Sequence, residues 1–172
     1  GRIIYEDRDM YTTKEGGIIP QKCAEHHKEI FPILFEKLSK EFNIKNVDIV
    51  SFSKGPGLPP PLIETMKFAK ELASKLNIPL VGVSHLVAHL EIGKLLTKAK
   101  DPVFILATGA NTQIIAFEAG KYRIFGETLD SGIGNMLDKF GRNIGLGFPA
   151  GPKIEELAKK GKYIDLGYVV KG

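Results

Sequence analysis

The sequence predicts an α/β fold. Short apolar runs alternate with longer stretches whose apolar residues recur every three or four positions. Glycine and proline separate the two kinds of segment, as at Gly55-Pro56-Gly57 and Asp101-Pro102. Hydrophobic residues make up 43% of the 172 residues, enough for a buried core and against disorder.

The elements follow in order. Arg2-Ile3-Ile4-Tyr5 reads as a strand and Gly16-Gly17 as a turn. Pro20 opens a helix, since proline suits a first turn. Ala24, His27, Ile30, Phe31, Leu34 and Leu38 form its apolar face, and Pro32 within it is expected to kink or divide it. Val47 to Ser53 is a strand, and Leu62, Met66, Ala69, Leu72, Ala73 and Leu76 line the next helix. Asn77 and Pro79 end that helix. Leu80 to Val83 reads as a fully buried strand from its continuous apolar run. Val103 to Ala107, Thr112 to Phe117 and Tyr122 to Phe125 are strands, with a turn at Gly109 and a hairpin at Gly120. A helix is expected from about Gly132 to Ile144, and a short one from Lys153 to Lys160.

Strand, helix, strand, helix, strand up to residue 100 describes a parallel sheet. The pattern starts again after residue 101. Two similar lobes, 1–100 and 101–172, with the second cut short, fit this order. A ligand would lie in the cleft between them, near strand C-termini.

Several classes are excluded. No run of about 18 apolar residues exists, so no membrane span is expected. Gly1 to Met10 has no apolar core of a signal peptide and no initiator methionine. Cys23 is the only cysteine, so no disulfide can form within the chain, and a cytoplasmic location is expected. The net charge of +4 is compatible with nucleic acid, but the lysines are scattered, and on charge alone a solvated Lys/Glu surface is the favoured reading.

Candidate chemistry begins at Ser84-His85-Leu86-Val87-Ala88-His89. If the segment is helical, a spacing of four puts both imidazoles on one face, where two neutral rings can bind one transition metal. Core or interface histidines are the plainer alternative. Leu86 stands where a zinc peptidase needs its glutamate, so that reading fails. At least one further ligand must come from elsewhere. His26 and His27 are adjacent, point apart and make a poor chelating pair. The second group is Thr108-Gly109-Ala110-Asn111-Thr112, a small-residue turn able to approach a phosphate or carboxylate, or simply a hairpin turn. The third is Asp138, a carboxylate for a ribose or a metal-bound phosphate, or a surface partner of Lys139 or Arg142. The fourth is Gly151-Pro152-Lys153-Ile154-Glu155, a close-approach surface in which Glu155 also suits a first helical turn.

Each signal is weak alone, but their order is specific. Gly16-Gly17-Ile18-Ile19-Pro20 with Ala24-Glu25-His26-His27, then Phe52-Ser53-Lys54-Gly55-Pro56-Gly57-Leu58, Gly82-Val83-Ser84-His85 with His89-Leu90-Glu91-Ile92-Gly93, Thr108 to Gln113, Gly126 to Asp130 and Gly147 to Glu155 follow one another along the whole chain. This succession resembles the tRNA threonylcarbamoyladenosine synthase family, in its archaeal, KEOPS-type form. The resemblance implies an actin- and hexokinase-like fold of RNase-H-like lobes, the first without its opening strands and the second incomplete. It implies transfer of threonylcarbamoyl from its adenylate to the adenosine beside the tRNA anticodon. His85 and His89 match the family's metal pair, with iron expected before zinc. Thr108, Gly109 and Ala110 match the turn that touches the adenylate, an ATP-type nucleotide. Asp138, Gly151 and Glu155 match positions that hold its nucleoside.

Implied partners are tRNA, a small atypical kinase subunit and a dimerising subunit. A separate chain supplying the missing C-terminal part is a further candidate. Departures stand beside the match. Leu106 replaces a metal-binding tyrosine, and Ala110 and Ala150 replace glycines, where an added Cβ would crowd a ligand or strain the backbone. Gly57-Leu58-Pro59-Pro60-Pro61-Leu62 replaces a more usual Gly-Leu-Gly-Pro-x-Leu. These changes motivate an alternative, a non-catalytic paralogue that binds partners or tRNA as a scaffold.

Overall fold

The computed structural model describes residues 1–13 and 17–167. Helix α1 (Pro20–Glu41) leads through a short 3-10 turn at Ile44–Asn46 to strand β1 (Val50–Gly55). Helix α2 (Pro59–Leu76) connects β1 to β2 (Leu80–Ser84), and the two strands pair in parallel, Val50 opposite Leu80 and Ser53 opposite Val83. A parallel pair needs such a crossover, because its ends lie at opposite edges of the layer. Helix α3 (His85–Thr97) follows β2 without a loop. Strands β3 (Phe104–Ala107), β4 (Thr112–Glu118) and β5 (Lys121–Glu127) then form an antiparallel meander in the order β3-β4-β5. Helices α4 (Ile133–Asn143) and α5 (Gly151–Ala158) complete the described elements.

The α/β class therefore holds, with one parallel and one antiparallel sheet. Three expectations need correction. Arg2–Tyr5 is no strand, because no described strand pairs with it and a lone extended segment has unmatched backbone groups. Gly16, half of the expected turn, lies outside the described residues, while Gly17 sits at a bend.

Pro32 does not divide α1, which continues through it. The ring removes one backbone donor, but Phe31 and Phe35 on either side of it both pack on Phe68 of α2, at ring-centroid distances of 5.2 and 6.2 Å. That shared anchor holds the two halves in line. Finally, β2 is not fully buried: Val81 is 41% exposed. A two-stranded sheet covered by few elements leaves the second face of an apolar strand open.

Asn77 ends α2 in the left-handed region at φ 54°, and its amide donates to the carbonyls of Ala73 and Ser74. Asparagine tolerates that conformation and caps the helix, so Pro79 is not needed to stop it.

The best-buried apolar cluster joins the two halves of the chain. Leu90 of α3 packs with Leu106 of β3 and Ile115 of β4, flanked by Leu86, Phe104 and Tyr122. Leu90 is 3% exposed and Ile115 4%. Helix α3 also touches β1 and β2, so it lies against both sheets.

The burial is nevertheless thin. The chain exposes 13334 Å². A compact protein of 18.9 kDa exposes about 8,300 Å². The outer face of the meander carries Ile105, 76% exposed, and Ile114 paired opposite it. Alone in solution, the 172-residue chain is therefore expected to enhance the fluorescence of anilinonaphthalene sulfonate and to associate as its concentration rises. A monodisperse monomer that leaves the dye dark would contradict this exposure.

Candidate functional site

The residues singled out from sequence fall into three local groups. The first is the histidine pair. β2 runs directly into α3, so His85 is the first helical residue and His89 lies one turn further. Their Nε2 atoms are 3.1 Å apart, with one ring donating to the other, and the rings meet nearly edge-on at 83°. Both side chains reach solvent. The protein beneath the His85 ring and then the adjacent His89 hold the His85 imidazole below its ordinary pKa. Neutral rings are the form that binds a metal. No group of three or more His, Cys, Asp or Glu able to hold a metal occurs among the described residues.

The other histidines sit elsewhere and have other partners. His26 Nε2 is 3.0 Å from Asp9 Oδ1, outside hydrogen-bonding alignment, and His27 Nδ1 is 2.7 Å from the Cys23 carbonyl. They point apart, as their adjacency predicted.

The second group is the turn after β3. The Thr108 amide donates to Asn111 O at 2.8 Å, and the Thr108 hydroxyl donates to the same oxygen at 2.9 Å. The Asn111 amide lies 3.0 Å from the Thr108 hydroxyl oxygen. The start of α4 docks on this turn. Ile133 N donates to Thr112 Oγ1 at 2.8 Å, Gly134 N to Thr108 O at 3.1 Å and Asn135 N to Gly109 O at 3.0 Å. The first three amides of α4, which usually lack partners, are thus consumed by the turn. An anion cannot use them. The amides of Gly109 and Ala110 have no acceptor among the described residues, and both residues are exposed.

This close approach requires glycine in α4. A Cβ on Gly132 would lie 2.5 Å from Ala110 C and 2.6 Å from Gly109 O. A Cβ on Gly134 would lie 2.8 Å from Gly109 Cα. Sequence reading placed these glycines in a helix but gave them no role.

The third group joins α4 to α5. Asp138 Oδ1 accepts from Ala150 N at 2.7 Å, at the start of α5. It pairs with neither Lys139 nor Arg142. Gly151 opens α5, and the exposed Glu155 carboxylate is 3.4 Å from Lys159 Nζ.

The glycine-to-alanine departures prove harmless to the backbone. Ala150 has φ −92°, and Ala110 is not among the described residues with positive φ. Ala150 is fully buried, and its Cβ occupies the space that a side chain at Gly141 would need. Leu106 turns inward to the Leu90 cluster.

Three residues that sequence reading left without a role tie α3 to the meander. The Tyr122 hydroxyl donates to Glu91 Oε1, and Lys94 Nζ lies 3.3 Å from the same carboxylate and 3.4 Å from the Tyr122 hydroxyl. The Tyr122 hydroxyl, then Lys94, hold the Glu91 carboxyl below its usual pKa. The hydrogen bonds that the Lys94 ammonium donates to Tyr122 and Glu91 push Lys94 up, and desolvation, then Glu91, pushes Tyr122 up. The only available signal was the apolar-polar alternation of β5, which does not name a partner on α3. Gln113 was likewise missed: it is 6% exposed, and its Nε2 donates to Glu127 Oε2 at 3.0 Å.

The groups are linked through α3. Leu86 and Leu90, interleaved with the histidines, pack on Leu106, two residues before Thr108. The cavity between the N-terminal segment and Phe148-Pro149, lined by Met10, Tyr11 and Ile18, includes none of the candidate residues.

Comparisons with known proteins bear on the whole chain. The family model described as tRNA N6-adenosine threonylcarbamoyltransferase matches residues 2–172. A protein of that name from Thermococcus sibiricus is 54% identical over 99% of this chain and 55% of its own length. Another from Archaeoglobus fulgidus is 50% identical, over 99% of this chain and 53% of its own. A Methanocaldococcus jannaschii protein named as a probable bifunctional tRNA threonylcarbamoyladenosine biosynthesis protein is 46% identical, over all of this chain and 32% of its own. The chain thus spans about half the length of the first two relatives. The solved structure of YeaZ from Pseudomonas aeruginosa aligns at TM-score 0.41 and 20% identity, covering 60% of this chain and 51% of that one, too weak a likeness to argue from.

Three outcomes are expected. In a proton NMR titration His85 should lose its proton at a pH below the ordinary imidazole range. Its pKa is depressed on folding, so its contribution to stability is present above the unfolded pKa and declines as pH falls through the folded one. A His85 midpoint above that range would contradict the geometry. Gly132→Ala should displace the turn or cost about 1–3 kcal/mol, measured by urea unfolding. Gly141→Val should lower stability by a similar amount, roughly 1–3 kcal/mol, because Ala150 already fills that space.

Proposed function

Because the chain belongs to the tRNA N6-adenosine threonylcarbamoyltransferase family, we propose that it provides part of the catalytic machinery for threonylcarbamoyl transfer to tRNA. The acceptor is the adenosine adjacent to the anticodon, and the donor is threonylcarbamoyl-adenylate. The names carried by the relatives support a transferase and do not favour the scaffold alternative. The finer fold proposed for the whole protein is that of two actin-like lobes, to which residues 1–100 and 101–172 contribute.

The observation that carries the reading is the histidine pair. Two ring nitrogens 3.1 Å apart fit one cation. A transition metal that takes imidazole ligands is the class this pair would hold, and iron is the proposed one. His85 and His89 would supply two ligands and hold them neutral. Leu106 gives none, so the set needs donors beyond these two. When bound, the metal supplies a Lewis acid for the threonylcarbamoyl carbonyl.

The protein's own groups would do the rest. The exposed amides of Gly109 and Ala110, beside Thr108, would receive the adenylate's phosphate oxygens. α4 holds that turn in place, so little ordering is needed when the ligand binds. Asp138, Gly151 and Glu155 are proposed to border the nucleoside. One Asp138 oxygen is already engaged by Ala150, so its other oxygen would face the ribose. Positioning of the donor against the incoming adenosine amine is the main catalytic gain expected.

The proposed partners are tRNA and KEOPS-type kinase and dimerising subunits. The bifunctional name of the Methanocaldococcus jannaschii relative supports a second activity working beside this one. No described helix is long and apolar enough to cross a membrane, and a cytoplasmic location is proposed.

Elemental analysis after metal loading tests the reading. The wild-type chain is expected to retain about one transition metal per molecule, and the double variant His85→Ala/His89→Ala none. Equal metal in the two proteins would end the proposal for this site.

A further inference from the structure

We propose that Tyr122, through Glu91 and Lys94, is a positioning residue that fixes where α3 carries the His85–His89 pair. This inference rests on the metal reading above for its purpose, but not for its geometry.

Helix α3 is held to the meander mainly by Leu86 and Leu90 against Leu106 and Ile115. Apolar contacts of this kind are strong but non-directional. They resist separation far better than they resist sliding or rotation along the helix axis. Both histidines stand on the adjacent stripe of the same helix, so any such slip carries the imidazoles with it.

Only directional contacts set the register, and the described residues place them at one point. The Tyr122 hydroxyl donates to Glu91, two residues past His89, and Lys94 Nζ reaches both groups at 3.3 and 3.4 Å. The Lys94 ammonium also lies 5.9 Å from the ring centres of Phe117 and Tyr122. The tyrosine is itself fixed on the sheet. Its ring meets Phe104 at 5.9 Å and Phe117 at 5.1 Å, both edge-to-face. A rigid ring on β5 thus holds the exposed edge of α3 at a defined height, while the leucines hold its inner face. Together these are two attachment lines, which is what stops a cylinder from rolling on a flat surface.

A charge triad on a protein surface contributes little to stability, so its expected effect is on geometry rather than on unfolding. That distinction gives the test. In the metal-free 172-residue chain, the four histidine Cε1–H signals would be recorded by NMR, with Co2+ affinity measured by competition. Tyr122→Phe keeps the ring between Phe104 and Phe117 and removes only the hydroxyl. It is expected to move the His85 and His89 signals, leave those of His26 and His27 on α1 in place, and weaken Co2+ binding five- to tenfold. Glu91→Ala should do the same. Glu91→Gln, which keeps an acceptor for the hydroxyl, should stay within twofold of wild type.

His85 and His89 signals that stay put in Tyr122→Phe would overturn the proposal whatever the metal does. Signals that move at all four histidines would also overturn it, since that is general loosening. If the wild type takes up no Co2+ while the two signals still move, the positioning device stands and the metal reading fails.

Discussion

The packing of Leu90 between Leu106 and Ile115 is the contact on which the rest depends. It joins a helix that continues β2 to a sheet formed later in the chain. Without it the two-stranded parallel pair and the three-stranded meander would be two small units, and the meander would lose the helix that covers it. The same helix face that makes this contact sets the direction of its neighbouring stripe. The helix that carries the histidines is therefore held to the meander by leucines that have no chemistry of their own.

A second constraint is the absence of side chains where backbones meet. Gly132 and Gly134 let α4 give its first amides to the Thr108–Thr112 turn. Gly141 gives way to Ala150 in the same manner, and Asp138 closes that junction by accepting the Ala150 amide. α4 thus braces the turn at one end and the start of α5 at the other. The amides of Gly109 and Ala110 have no acceptor among the described residues, because α4 donates its own amides to the turn's carbonyls and to the Thr112 hydroxyl.

The thin burial fits a chain that matches about half of each related transferase. Among the described residues, nearly every large apolar side chain keeps some solvent contact, and none is fully buried. Substituted positions fit their neighbours rather than straining them. Ala150 sits over a glycine, and Leu106 packs in the core with Leu90 and Ile115. Such compensation is local, and it does not require the rest of the protein to be present.

The sequence by itself determined the α/β class, most elements after residue 20, the four-residue spacing of His85 and His89, and the family, but it did not assign α3, the helix that carries the pair. These follow from period, from glycine and proline, and from motif order, all of which are local along the chain. Only the tertiary structure decided that Arg2–Tyr5 finds no strand to pair with, that α1 passes through Pro32, and that Val81 stays open to solvent. It also decided that Asp138 caps a helix rather than meeting Lys139 or Arg142, and that Tyr122 reaches Glu91 across 31 residues. The reason is physical. A residue's periodicity states which side it faces, while the identity of what faces it depends on how distant segments pack.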